Sequence, residues 1–264
     1  MSKLIERLNE ALRPAPVPMG FGRKAAEAKK KARVLLIAAL DKPYTEGVAE
    51  MISGADGVLL PVDTAPGDVE ATAKAIPDVP CGEWLATSDA KKLEALSKNG
   101  CDFAIFCADR MGLSIIRYEK LGKILEVDAR IEDGILRSVN TLPVDAVFIR
   151  HEGSEPSYFT WHDLMIFRHI SDFVSKPVMV TATVPLSEKE ILPLWEAGVD
   201  ALVVATGPGE ASQMLKKLRR EIDKVTFPAQ RRVSKREAIV PPIRTEAPVV
   251  EKEEEEDGDE EEDE

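Results

Sequence analysis

The sequence predicts an α/β protein, a compact (β/α)8 TIM barrel with an N-terminal helical extension and a disordered acidic C-terminal tail. Three observations lead there. From Arg33 onward, strand-like and helix-like segments alternate without interruption, and eight such units can be counted. A short pattern ending Ala197-Gly198-Val199-Asp200 and opening an apolar run recurs upstream at Ser53 to Asp56, Asn99 to Asp102 and Leu142 to Asp145. The four aspartates, Asp56, Asp102, Asp145 and Asp200, stand 46, 43 and 55 residues apart, so the internal period is two βα units. An open doubly wound sheet is the alternative reading of alternating βα units.

Each element follows from local pattern. Leu4, Ile5, Leu8 and Leu12 fall at helical spacing in Ser2 to Arg13, which predicts a short amphipathic helix. Pro14, Pro16 and Pro18 stop it, and Arg23 to Arg33 reads as a basic, alanine-rich helix. This extension, 1–32, is read as a helical lid packed on the body, with a membrane- or partner-binding helix as the alternative. Strands are expected at Val34–Leu40, Gly57–Val62, Val79–Leu85, Cys101–Cys107, Lys123–Asp128, Val144–Arg150, Pro177–Ala182 and Val199–Thr206. Helices are expected near Glu46–Ile52, Asp68–Ile76, Asp89–Ser97, Leu113–Leu121, Asp133–Val139, Thr160–Val174, Glu188–Glu196 and Gly209–Val225. The barrel is thus expected over 33–225. After it, 226–264 carries prolines, a basic cluster (Arg231, Arg232, Lys235, Arg236, Arg244) and an acidic run without periodicity, the composition of a disordered segment.

Composition narrows the function classes. The chain has 264 residues, 44% of them hydrophobic, enough for a sizeable core. No apolar run approaches the roughly 20 residues that span a bilayer. The N-terminus lacks the continuous apolar region of a secretory signal, and the three cysteines, Cys81, Cys101 and Cys107, show no CxxC spacing. A cytoplasmic protein without a disulfide framework or zinc cluster is expected. The net charge of -12 is concentrated in Glu251 to Glu264, twelve acids and one lysine, which leaves 1–250 at -1. That near-neutral body argues against nucleic-acid binding. The tail itself is read as solubilising or as a contact for a basic protein partner.

In such a barrel, chemistry sits where the strands end at their carboxyl termini. The four repeat aspartates lie at the other end and are read as turn formers whose carboxylates accept backbone N–H bonds. The functional rim then offers Asp41 and Lys42 after strand 1, Asp63 after strand 2, Glu83 in strand 3, and Asp109 and Arg110 after strand 4. Glu126, Asp128, Arg150, His151 and Glu152 follow from strands 5 and 6, and Thr181 and Thr183 from strand 7. Glu126 is the sharpest of these, a carboxylate inside Ile124-Leu125-Glu126-Val127-Asp128 that needs a partner, a metal or a proton. An ion pair with Arg150 is one reading; general acid/base work, or ligation of Mg²⁺ or Mn²⁺ with Asp128, is the other. His151 is a candidate proton carrier, whereas His162 and His169 fall within the sixth helix. Thr206-Gly207-Pro208-Gly209 enters the last helix as a candidate backbone cradle for phosphate.

Leu125-Glu126-Val127-Asp128, followed by Val144-Asp145-Ala146-Val147-Phe148-Ile149, resembles the fifth and sixth strands of the HpcH/HpaI-type pyruvate aldolases, within the aldolase-type barrel superfamily. That resemblance implies a divalent metal held by Glu126, with Glu152 as a second ligand; Arg150-His151-Glu152-Gly153 stands where the family has Gly-Pro-x-Asp. The same stretch, with Glu188 to Gly207, is similar to ribulose-phosphate-binding barrels, although Glu83 and Trp84 stand in strand 3 where that family has a lysine. Both resemblances cover roughly residues 120–220.

The expectation is a small-molecule enzyme, of lyase or isomerase type, acting on a small oxyacid or phosphorylated metabolite. Glu126 would be base or metal ligand, His151 a proton carrier, and Lys42 and Arg150 anion anchors. Thr181, Thr183, Gly207 and Gly209 would complete the ligand contacts. The alternative is a non-catalytic barrel serving as a scaffold or binding protein with an acidic interaction tail.

Overall fold

Each of the eight strands is buried on both faces, so each reads as a nearly continuous apolar run rather than an alternating one. In the computed structural model, which describes residues 2–13, 33–87, 89–150, 158–182 and 185–228, the strands are β1 (Leu35–Leu40), β2 (Gly57–Leu60), β3 (Cys81–Leu85), β4 (Phe103–Cys107), β5 (Gly122–Val127), β6 (Ala146–Ile149), β7 (Val178–Ala182) and β8 (Val199–Thr206). All pair in parallel with their sequence neighbours. β8 returns to β1 with Leu35 opposite Ala201 and Leu40 opposite Thr206, closing the barrel. This excludes the open sheet.

The helices are α1 (Lys3–Leu12), α2 (Val48–Met51), α3 (Pro66–Ala75), α4 (Ala90–Lys98), α5 (Asp133–Ser138), α6 (Trp161–Phe173), α7 (Glu188–Glu196) and α8 (Glu210–Lys224). The segment expected as a helix over Leu113–Leu121 is a 3-10 turn over Leu113–Arg117. The β-branched pair Ile115-Ile116 disfavours an α-helix, and Gly122 already begins β5. Several strands are shorter than expected, β6 by three residues: Val144 and Asp145 form the turn into β6, and Arg150 lies just past its end.

Two cores result from the alternation of side chains. Leu36, Ala38, Val58, Leu60, Ala104 and Val147 belong to the larger cluster between sheet and helices. Leu35, Ile37, Leu59, Phe103, Ile105, Ile124, Phe148, Met179 and Val203 fill the barrel interior. Leu4, Ile5, Leu8 and Ala11 of α1 belong to that interior cluster. α1 is therefore a plug at the amino-terminal floor of the barrel. Ser2 and Ile5 sit so close to Gly122 that a Cβ there would lie 2.8 Å from the Ser2 Oγ. Of the basic helix expected over Arg23–Arg33, only Arg33 is described, as a bend ahead of β1; the rest of it, like residues 229–264, lies outside the described residues. Residues 226–228, expected to be disordered, are described, and Phe227 packs edge-on against Trp195 with ring centroids 5.3 Å apart.

Three of the four repeat aspartates do one job. The carboxylates of Asp56, Asp145 and Asp200 accept the N–H of Leu36, Lys123 and Val178 at 2.8 Å, each tying the start of an even strand to the odd strand before it. Gly198, at φ +105, ends α7 ahead of Asp200, and a Cβ there would collide with Ser171. Asp102 differs. It accepts hydrogen bonds from the Ser2 hydroxyl (2.6 Å) and from the N–H groups of Lys3 (2.8 Å) and Leu4 (2.9 Å), so it holds the amino terminus of α1. Asp102→Ala is expected to lower stability in urea unfolding by about 2–3 kcal/mol, since one truncation removes three bonds to a charged acceptor.

Candidate functional site

The inward-facing side chains run up the barrel from Leu35, Phe103 and Ile124 at the floor to a polar layer at the carboxyl ends of the strands. Trp84 of β3, Cys107 of β4, Glu126 of β5, Arg150 after β6 and Thr181 of β7 form it, all partly open to solvent except for the more exposed Arg150. Register brings Cys107 directly opposite Glu126.

Arg150 is the centre of this layer. Its Nε lies 2.8 Å from Glu126 Oε1, and its guanidinium carbon lies 4.2 Å from the centre of the Trp84 ring. Trp84 is itself held edge-on by Phe148, ring centroids 5.3 Å apart. An arginine pinned between a carboxylate and an indole face loses little further freedom on meeting a ligand. Its side chain is still 45% exposed, and its terminal nitrogens have no hydrogen-bond partner among the described residues. The other Glu126 oxygen, Oε2, accepts the Cys107 thiol at 2.8 Å. Burial, followed by that bond to Glu126, pushes the Cys107 thiol up to about 11, so it is protonated at neutral pH and is a donor rather than a thiolate nucleophile.

The remaining candidates fall into separate places. Lys42 sits on the opposite wall, where its ammonium lies 5.3 Å from the Tyr44 ring centre. Tyr44 donates to Asp41 at 2.9 Å. Asp41 also lies beside the loop after β8: its Oδ1 is 3.6 Å from where a Gly207 Cβ would lie. With Glu210 at the start of α8, this makes the Gly207-Pro208-Gly209 turn locally acidic, a poor seat for a dianion. Gly209, at φ +81, precedes α8 without a side-chain cap.

Asp128 points its carboxylate at the N–H of Arg130 (2.7 Å) in a local turn and is exposed. Both Glu126 oxygens are engaged, Oε1 by Arg150 and Oε2 by Cys107. Among the described residues, no three acid, histidine or cysteine side chains converge to hold a metal. His151, Glu152 and Thr183 lie outside the described residues.

Glu83, read as a rim group, points outward from the barrel instead and is fully buried beneath α4. Its partner is Lys92, with Nζ 2.5 Å from Oε1; neither Glu83 oxygen has a well-directed hydrogen bond among the described residues. Asp63, which is 79% exposed and held at φ +62, lies 3.7 Å from the same ammonium. Asp109 and Arg110 form an exposed pair 3.9 Å apart.

Sequence reasoning missed Trp84 as a member of the polar layer; Cys107, which ends β4, was open there as a reactive or a buried thiol, and it is the protonated donor to Glu126. The period-two alternation of β3 and β4 carried that signal, since Trp84 and Cys107 share the inward parity of Gly82 and Ile105. It also missed an apolar rim. Leu113, Ile116, Ile135, Tyr158, Trp161 and Met165, all exposed, lie in the segments that follow β4, β5 and β6.

No protein-family model matches the chain, and no curated protein matches it. Solved structures do. Tryptophan synthase from M. tuberculosis, in its open form, superposes with a TM-score of 0.55 at 14% identity, over 73% of this chain and 92% of that one. Two single-residue variants of the tryptophan synthase alpha-subunit from Pyrococcus furiosus give TM-scores of 0.52 and 0.53 at 13% and 10% identity, covering 71% and 73% of this chain and 97% of theirs. The fold is the (β/α)8 barrel. At these identities the likeness is one of fold, and the polar layer at the mouth has to be read from its own chemistry. No helix among the described residues is long and apolar enough to cross a membrane.

Proposed function

We propose that the carboxyl end of the barrel binds a small oxyacid at Arg150 and acts on it as an enzyme of lyase or isomerase type. The observation that carries this reading is the clamped, half-exposed guanidinium, with Nε given to Glu126, one face given to Trp84, and both terminal nitrogens turned to no other group among the described residues. A planar fork held this way matches a carboxylate in two parallel hydrogen bonds. The acidic surroundings of Gly207 and Gly209 favour a carboxylate at Arg150 over a phosphorylated metabolite in the β8 loop. The structural neighbours bear the name of a synthase, which supports an enzyme on this architecture.

Glu126 orients the guanidinium and balances its charge. It becomes a base at Oε2 once the Cys107 thiol turns aside. Thr181 and Thr183 supply hydroxyls to the bound acid, Lys42 approaches from the opposite wall, and His151, directly after Arg150, carries the proton. The second reading is a barrel that binds a protein partner without turnover, and the exposed apolar rim from Leu113 to Met165 favours it.

The test is titration calorimetry with a panel of 2-oxo and 2-hydroxy acids and phosphate esters, alongside solvent deuterium exchange at the carbon next to the carboxylate. Arg150→Ala is expected to weaken binding of the preferred acid about 10–100-fold, as for loss of a charged hydrogen-bond pair. Arg150→Lys should not restore it, because an ammonium cannot reproduce the fork. Unchanged affinity in Arg150→Ala sinks the assignment, and a panel without any binder leaves the partner-binding reading in its place.

A further inference from the structure

The last helix, α8, has two faces of different character. Leu215, Leu218 and Ile222 are buried against the barrel, and Arg219 reaches the floor, where it pairs with Asp56 and donates to the Gly54 carbonyl at 2.8 Å. The outer face carries Gln213, Lys216, Lys217 and Arg220, which are i, i+3, i+4 and i+7 on one helix stripe. Other α8 cations have carboxylate partners: Arg219 has Asp56 and Asp223, and Lys224 has Glu221 at 2.7 Å. Lys216, Lys217 and Arg220 have none within 4.0 Å among the described residues. Together with Pro185 and Met214 they line a groove of about 850 Å³ on the outside of the barrel, with Glu210 at its upper end.

We propose that this groove is the docking site of the chain's own acidic run, Glu251–Glu264. Charge is the first argument: twelve acids and one lysine stand against three cations at fixed helical spacing that have no carboxylate within 4.0 Å among the described residues. The apolar bodies of Pro185, Met214 and the lysine stems give the carboxylate-bearing stretch a surface to lie on. Reach is the second. α8 ends at Lys224 and the described chain continues only to Pro228, so the run begins 23 residues further on. A random coil of that length has an r.m.s. span of roughly 25 Å. Lys217 lies only about 10 Å up the helix from its end. Tethering at that distance supplies an effective concentration on the order of millimolar, enough to populate a contact that would be weak between separate molecules.

The linker cations Arg231, Arg232, Lys235, Arg236 and Arg244 compete for the same acids. The groove is favoured over them because its three cations are held at fixed spacing on one stripe of α8.

The experiment is zero-length carbodiimide crosslinking of the full chain at low salt, with the linked peptides mapped by mass spectrometry. Amides joining acids of 251–264 to Lys216 or Lys217 are expected, with a yield unchanged on tenfold dilution and suppressed in 1 M NaCl, where the screening length falls to about 3 Å. Arg220→Glu leaves both lysines in place and should cut that yield about threefold, the effect of replacing one attractive exposed pair by a repulsive one. Links confined to Lys235 or to lysines elsewhere overturn the proposal. So does a yield that falls with dilution, which assigns the tail to another molecule, or one that Arg220→Glu leaves unchanged.

Discussion

Lys92→Met is expected to destabilise the chain by about 3–5 kcal/mol at pH 7.5, the range found when one member of a buried ion pair is removed and the other stays. Glu83 is 0% exposed, and Lys92 is the cation beside it. Without the ammonium, the carboxylate must remain ionised in an apolar layer or take up a proton. Burial already raises the Glu83 carboxyl above its ordinary 4.5, against the opposing pull of Lys92. Removing Lys92 raises it further.

A carboxyl whose folded-state value is raised contributes its stability fully below about 4.5, and loses it as pH climbs through the raised value. The deficit of Lys92→Met should therefore be small at pH 4.5 and large at pH 7.5. Replacing both partners together, Glu83→Leu with Lys92→Met, should recover most of it, because no charge is then left buried. Urea unfolding at the two pH values measures all of this. A deficit equal at both, or a double variant as unstable as the single one, would show that Glu83 is not the group responsible.

Leu8→Ala in α1 is expected to cost about 2–5 kcal/mol, the range for truncating a fully buried leucine where the surroundings cannot collapse. Leu8 is 0% exposed and belongs to the interior cluster with Phe103, Ile105 and Phe148. The strands around it are fixed by the closed ladder, which leaves the walls little freedom to close over a cavity. The loss should fall short of additive with that of Asp102→Ala, because the carboxylate and the leucine hold the same helix in the same seat. Urea unfolding of the single and double variants decides it. A cost below about 1 kcal/mol for Leu8→Ala would mean that α1 is not part of the cooperative unit.

The polar layer at the mouth is partly legible in the sequence. Glu126 stands out in an apolar strand, and its pairing with Arg150 was one of two open readings; the geometry places Nε and Oε1 2.8 Å apart. Neither the indole under Arg150 nor the thiol on Glu126 could be read that way. Trp84 and Cys107 lie 42 and 19 residues from Glu126, and they join it only because the barrel closes with a definite register. Glu83 was misplaced for the same kind of reason. One step along a strand reverses which face a side chain takes, so Glu83 belongs under α4 while Trp84 belongs at the mouth.

The eight βα units follow from local chemistry: apolar runs of strand length and helix-ending glycines. These features act over a few residues, so the linear sequence carries them. Closure of β8 onto β1, the seating of α1 in the floor through Asp102, and the gathering of Arg150, Glu126, Cys107 and Trp84 in one layer were settled by tertiary structure. Each depends on which residues become opposite across strands far apart in the chain. That pairing comes from burying two complete apolar faces at once, a condition that no single segment meets alone.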